Sequence, residues 1–564
     1  MDRESCAELL VRALKHLGVE RCFGLPGTGI LSILDACARH DLPFIGVRHE
    51  SAAVLMAGAL SRVTRGVGVC LVTEGPGHAN AIGALAALHA EDIPVLLISG
   101  RAESAAWGRG AIQELPQVEL ARPITRFAET VTTPGDLLPM LTAAWRAVGS
   151  GAPGPVHLTI PVDVLDADAP ADAAMPRADD AYGAGAVDLA AVTEAADLLG
   201  EAERPAIVAG TSAWWHDAGP ALERLVQKAR IPVFTTEAAR GLLSDESDTC
   251  FGGAPGGRNP MSSMLREADL VLLVGERLDY WFGHGDAFAR DARLVRVFPD
   301  ASELERNRRA DVGTTASPAW FMDRLEALAP APTRERAAWI ERLAAAKAAQ
   351  RARISEMAKT DEVPIHPLRV AAAALPYAGE GTSLVVDGSN FGSWVRLLLP
   401  ARTPGAFFST GRFGMVGGAL TAAIAARAAR PDRRVLAFSG DGGIGFYFME
   451  FETALRASLP LVMVIGNDAA WGIETLFQES LYGPGRSPST NLSPTRYDEM
   501  VRAMGGHGEH VEHPRELAPA FERAFASGTV ACINVAIGRP PSASADSLTS
   551  YLKRRRATFL GSGS

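Results

Sequence analysis

The stretch RRVLAFSGDGGIGFYFMEFETALRASLPLVMVIGND, residues 433–468, decides the fold. RRVLAFS is an apolar run leading to Gly440, FMEFETALRAS has helical spacing, and LPLVMVIG is a second apolar run leading to Asn467. Such runs joined through a helix read as parallel strands of a sheet buried on both faces. A crossover of this kind delivers both strand ends to one edge of the sheet, the edge where open α/β sheets bind ligands. Asp441 and Asp468 would then converge as hard oxygen donors for Mg²⁺, with the Ala470 main-chain carbonyl and diphosphate oxygens completing the shell. Gly440, Gly442 and Gly443 would let the backbone approach those oxygens. The competing assignment for each aspartate is a turn or cap interaction.

The same alternation extends outward in both directions. VERCFGL, LPFIGVRH, VGVCLVT, IPVLLISG and GPVHLTIPVDV mark strands of a first domain at 1–168. RPAIVAG, IPVFTT, ADLVLLVG and ARLVRVFPD mark a central domain at 187–330. A long Ala/Arg/Glu helix pattern lies in a linker at 331–362, and SLVVDGS, GAFFSTG and TVACINVAIG join the opening stretch in a third domain at 363–545. The expected fold class is therefore α/β, with three doubly wound parallel-sheet domains. An Ala/Asp/Pro-rich linker follows the first domain, and residues 546–564 read as a frayed tail.

Composition narrows the function classes. The chain of 564 residues carries 55 basic and 65 acidic side chains, a net charge of −10, which disfavours nucleic acid as partner. No apolar stretch reaches the roughly 20 residues of a membrane span, and the amphipathic start does not read as a secretory signal, so a cytoplasmic enzyme is expected. The six cysteines are scattered without a Cys-x-x-Cys pair, excluding a zinc ribbon or disulfide scaffold. None of the lysines follows a glycine, so the P-loop lysine is missing, and no Gly-x-Ser-x-Gly elbow occurs. His507, His510 and His513 follow a strict i, i+3, i+6 spacing that does not keep three imidazoles on one helical face, and their glycine-rich surroundings suggest a structural loop.

With the Gly-Asp-Gly and Asn-Asp pair in place, the chain resembles the thiamine-diphosphate-dependent family of acetolactate synthases, benzaldehyde lyase and 2-hydroxyacyl-CoA lyases. The resemblance spans nearly the whole chain, through GVERCFGLPG, residues 46–80, residues 110–127, GPVHLTIPVDV and NDAAWGIETLFQ. It departs at Asp468, where the family has Asn. It implies pyrimidine-binding, central and diphosphate-binding domains, with thiamine diphosphate and Mg²⁺ as cofactors. Glu50 falls on the catalytic glutamate, whose carboxyl hydrogen-bonds the aminopyrimidine and so activates the thiazolium carbon; alone, Glu50 would read as an acid in the first turn of a helix.

The resemblance further implies roles for Gln113 beside substrate, for Gly388, Ser389 and Asn390 at the diphosphate or substrate site, and for Asn80 near that same pocket. Trp471 and Gly472 would border the cofactor. Met415 and Val416 bracket the position of an apolar wedge that bends it, and the sequence does not separate the two. Gly27, Thr28, His49, His78 and Phe477 are candidates for the substrate pocket, the two histidines being alternatively hydrogen-bonded loop residues. Subgroup signatures are incomplete: paired histidines near Gln113, a histidine in the loop around Gly27, and a tryptophan at Phe477 are all missing. GERLD (275–279) resembles a flavin-contacting loop of the synthases, although FAD is not expected to be required. The implied activity is carbon–carbon lyase, ligase or decarboxylase chemistry on 2-keto acids, aldehydes or acyloins. A lyase of the 2-hydroxyacyl-CoA or oxalyl-CoA type, or a catalytically silent cofactor-binding protein, are the alternatives. Implied partners are a small-molecule substrate and a second copy, in a homodimer or homotetramer with active sites at the subunit interface.

Overall fold

The computed structural model describes residues 4–553 and 556, apart from 172–173, 179–185, 237–238, 255–258, 410, 543–544 and 547. Most of the basic tail KRRRATFLGSGS therefore lies outside the described residues. Three six-stranded sheets account for the strands. The first contains β1 (Cys22–Gly24), β2 (Phe44–Gly46), β3 (Gly68–Val72), β4 (Val95–Arg101), β5 (Ala128–Thr130) and β6 (Val156–Pro161). The second contains β7 (Pro205–Ala209), β8 (Val233–Thr235), β9 (Cys250–Gly253), β10 (Leu270–Val274), β11 (Arg293–Val297) and β12 (Val312–Thr314). The third contains β13 (Thr382–Val386), β14 (Phe407–Ser409), β15 (Arg434–Gly440), β16 (Val462–Asn467), β17 (His507–Val511) and β18 (Ala531–Ala536).

Every pairing between these strands is parallel. The first and third sheets share one strand order, β2-β1-β3-β4-β6-β5 and β14-β13-β15-β16-β18-β17. The second has the dinucleotide-fold order β9-β8-β7-β10-β11-β12. Parallel strands need helical crossovers, which cover both faces; the fully buried runs of β3, β10 and β13 are the result. The expected α/β class with three doubly wound parallel sheets is what the chain adopts.

The chain forms two compact units. One comprises Met1–Ala184 with Gly411–Pro431 and Tyr447–Leu459; the other holds the second and third sheets. In the first unit, the helix Gly418–Ala429 packs along Glu50–Thr64. Both are rich in Ala, whose small side chains let the helices approach, and Glu50–Thr64 is buried on nearly every side. The chain's first helix, Cys6–His16, starts in a capping box in which Ser5 and Glu8 satisfy each other's backbone donors. In the second unit the linker helix spans Arg334–Met357 and buries Trp339, Ile340 and Leu343. Among the described residues no helix is long and apolar enough to cross a membrane.

Two expectations are corrected. The His507 segment is not a loop: β17 carries His507 and His510 in its parallel pairing with β18. Those imidazoles face carboxylates, His507 on Glu509 at 2.8 Å and His510 near Asp498 at 3.8 Å. His78, a candidate for the substrate pocket, is buried within the first unit. Its Nδ1 pairs with the Ser99 hydroxyl at 2.9 Å, and its ring lies 4.7 Å from that of His157.

Burial pushes the His78 imidazole down to about 4, and burial together with His78 pushes His157 well below its ordinary range. Both rings are neutral in the fold and must gain protons to match the unfolded chain. Their contribution is intact above about pH 6.5 and lost as pH falls through that value toward 4, by up to about 1.4 kcal/mol per pH unit for each ring. The urea midpoint of the first unit should therefore drop between pH 7 and pH 5, and His157→Gln should flatten the slope. A midpoint independent of pH would contradict this.

Candidate active site

The site in the third sheet starts from strand ends. β13 and β15 are neighbours, yet the chain leaves β13 for β14 on its other side, so their carboxyl ends flank a point where strand order reverses. There Gly388 and Ser389 follow β13, while Gly440 and Asp441 end β15. A Cβ on Gly440 would lie 3.6 Å from that of Ser389. Ser389 caps the helix Asn390–Leu398 by accepting the Gly392 N–H at 2.8 Å. The Asn390 amide is turned to Pro540 and Ser542, at 2.8 and 3.0 Å, so its part is to hold that loop.

Neighbouring β16 ends at Asn467, in register with β15 through Gly440↔Gly466. Asn467 receives the Ala469 N–H at 3.1 Å, and Ala469 takes a left-handed conformation with φ of 51°. That turn aims the Ala470 N–H at Asp441 Oδ2, 3.1 Å away. The Tyr497 hydroxyl donates to the Asp441 main-chain carbonyl at 3.3 Å. Asp441 and Asp468 are thereby brought side by side. Burial comes first, then the Asp468 charge and a hydrogen bond shared with it, and together they push Asp441 up to about 7. Two carboxylates in one buried pocket repel unless a proton or cation lies between them.

Glycine shapes the rest of this cradle. A Cβ on Gly442 would meet the Trp471 ring at 2.8 Å, and one on Gly443 would meet Asp387 Oδ2 at 2.9 Å. Gly472 opens the helix Gly472–Tyr482, and its missing Cβ leaves room for Asp468 Oδ2. Phe477 is buried in that helix. The donor set of two carboxylates beside a glycine-lined loop suits a small divalent cation with a bound anion. Among the described residues no group of three or more His, Cys, Asp or Glu gathers as a metal site, so main-chain and ligand oxygens would complete the shell.

The first sheet has a matching edge. β1 and β3 flank its reversal point; a Cβ on Gly27 would strike the Thr73 side chain, and Thr28 donates to Glu74 at 3.3 Å. After β2 the chain turns into the helix Glu50–Thr64, with Glu50 its first residue and His49 its cap. Glu50 is buried, and Asn80 donates to its Oε2 at 3.0 Å. His49 Nδ1 lies 2.7 Å from the Ser51 hydroxyl, itself reached by the Tyr447 hydroxyl at 3.1 Å. Gln113 sits exposed in a left-handed turn, φ 57°, packed over Gly75 at the start of Asn80's helix. Met415 and Val416 are both half-buried just before the helix Gly418–Ala429.

Several supporting residues were not anticipated from the sequence. Gln117 accepts the Gly75 N–H at 3.3 Å and donates to the Gly100 carbonyl at 3.0 Å. Glu450, fully buried, accepts the Arg48 N–H at 3.0 Å and so braces the turn before Glu50. In the third sheet, Arg539 grips Asp468. These contacts join residues far apart in the chain, and no local sequence pattern marks them.

Comparison with known proteins agrees with this geometry. Family models match in chain order: the N-terminal TPP binding domain of thiamine pyrophosphate enzymes over 4–120, their central domain over 192–325 and their C-terminal TPP binding domain over 387–535. A probable acetolactate synthase of Mycobacterium bovis is 36% identical, over 93% of this chain and 94% of that protein. A probable acetolactate synthase large subunit of Methanocaldococcus jannaschii is 27% identical over 94% and 91%, and a 2-hydroxyacyl-CoA lyase of Oryza sativa is 29% identical over 93% and 94%. With both carboxylate edges built as described, three family models in order and relatives along nearly its full length, the chain belongs to the thiamine pyrophosphate enzyme family as a thiamine-diphosphate-dependent carboligase or lyase.

Proposed function

We propose that this enzyme makes or breaks the carbon–carbon bond beside a carbonyl in 2-keto acids, aldehydes or acyloins, in the manner of an acetolactate synthase, and that it requires Mg²⁺. The observation that carries the reading is the paired Asp441 and Asp468 carboxylates at the edge of a glycine-lined loop. When bound, thiamine diphosphate supplies a nucleophilic thiazolium carbon and an electron sink. Asp441, Asp468 and the Ala470 carbonyl hold the cation, which neutralises the diphosphate beside the backbone of Gly440, Gly442 and Gly443. Glu50 holds a proton toward the cofactor's pyrimidine, and Asn80 fixes which carboxyl oxygen does so. Gln113, in its exposed turn, orients substrate. Glu50 of one copy and the aspartate pair of another share a cofactor, so the working form is a homodimer or homotetramer.

A second reading, lyase action on a 2-hydroxyacyl-CoA, is favoured by the rice relative, which covers as much of the chain as the synthases do. A panel of pyruvate, benzaldehyde, benzoin, acetoin and a 2-hydroxyacyl-CoA, with products read by chromatography, separates the two. Acetolactate from pyruvate is expected; turnover confined to the thioester would transfer the assignment to the second reading.

Removing thiamine diphosphate and Mg²⁺ should abolish carboligase or lyase turnover, and restoring both should recover it. Turnover indifferent to both would refute the proposal. Glu50→Gln should lower kcat by roughly 10²- to 10⁴-fold, the span of acid–base contributions. Calorimetric binding of Mg²⁺ and thiamine diphosphate to this variant should stay close to wild type. Equal losses of binding and turnover would mean that Glu50 is only structural.

A further inference from the structure

Strand β18 lies beside β16 in parallel, with Ala536 in register with Asn467, and the Ile537 N–H extends the ladder to the Asn467 carbonyl at 3.0 Å. Both strands therefore leave the sheet at the same edge. Arg539, just past that point, reaches back over Asp468. Its Nε–H donates to Asp468 Oδ2 at 2.5 Å and its Nη2–H to the Asp468 main-chain carbonyl at 2.8 Å. Both groups are largely covered, with side-chain exposures of 27% for Arg539 and 12% for Asp468. A planar guanidinium held at two points fixes a carboxylate in angle as well as place.

The charge balance needs such a partner. An amide at 468 would offer a cation one neutral oxygen. Aspartate adds a full negative charge next to Asp441, in a pocket meant to receive a diphosphate. A carboxylate pair binds a divalent cation more strongly but repels the anion that must follow it, most of all where burial weakens screening. Arg539 removes that excess locally. It occupies Oδ2 and leaves the other carboxylate oxygen for the cation, so that Asp468 ligates as an amide would.

We infer that Arg539 is a positioning residue for the cofactor site, a built-in counter-charge that lets Asp468 act as a one-oxygen, electrically neutral ligand and keeps the pocket receptive to a metal diphosphate. The inference rests on the cation site proposed above. It concerns a salt bridge between a loop after β18 and the end of β16, and it predicts opposite effects on cation and anion binding.

The test is calorimetry on the full chain freed of cofactor, comparing wild type with R539Q, R539K, D468N and D468N/R539Q. Mg²⁺ is titrated alone, then thiamine diphosphate at saturating Mg²⁺. R539Q is expected to bind Mg²⁺ more tightly and thiamine diphosphate at least about tenfold more weakly, a change of ~1.4 kcal/mol. R539K should stay close to wild type. D468N/R539Q, which removes both charges, should recover thiamine diphosphate affinity to within about threefold of wild type, by the same conversion. A merely structural arginine would loosen both ligands together and gain nothing from D468N. Thiamine diphosphate affinity unchanged in R539Q, or a double variant no better than R539Q, would overturn the inference alone. Wild-type protein that takes up neither ligand would overturn the cation site and the inference with it.

Discussion

Asp441, buried, and Asp468, largely covered, stand side by side at one sheet edge, and the third sheet is organised around their repulsion. Left to themselves they would move apart or stay half-protonated. Parallel β15 and β16 prevent separation, because the Gly440↔Gly466 register delivers both loops to one edge. The left-handed Ala469, the Asn467 side chain and the Tyr497 hydroxyl then fix the two turns. Such crowding is costly in an empty fold and favourable once a divalent cation arrives, which is the usual signature of a binding site.

The same strand order recurs in the first sheet, and it yields a second functional edge by the same geometry. There the acid is single. Glu50 stands at the head of a buried helix, paired with Asn80 and braced from behind by Glu450 against the Arg48 N–H. Under the proposed function, one edge would take a cation and an anion, and the other would hold one proton in a defined direction. The second sheet has the other common order of doubly wound folds. Glu276 is buried there with the Thr236 hydroxyl as its partner.

What the sequence disclosed follows from what burial writes into it. Central strands such as β4, β10 and β16 are covered on both faces, so their runs are continuous in Leu, Ile and Val and were legible. The strands not foreseen, β5, β9, β12 and β17, all lie at sheet edges, where one side has no partner and the residues are short, polar or glycine-bearing. HGEHV is the clearest case: its two histidines looked like a loop, and the pairing with β18 makes it a strand. The placement of Glu50, Asp441 and Asp468 just past strand ends was legible because each follows an apolar run. His78 was misplaced because a helix start says nothing about which way the ring points. Arg539, Gln117 and Glu450 act on partners remote in sequence, and no local pattern marks such contacts.

The central claim is that Asp441 and Asp468 hold a divalent cation bound to a diphosphate. Electron paramagnetic resonance of Mn²⁺, with phosphorus couplings resolved by electron–nuclear double resonance, addresses it most directly. One Mn²⁺ per chain, taken up with thiamine diphosphate, showing phosphorus coupling and lost in Asp441→Asn, is the predicted result. Mn²⁺ that binds without the diphosphate, shows no phosphorus coupling and survives Asp441→Asn would contradict it.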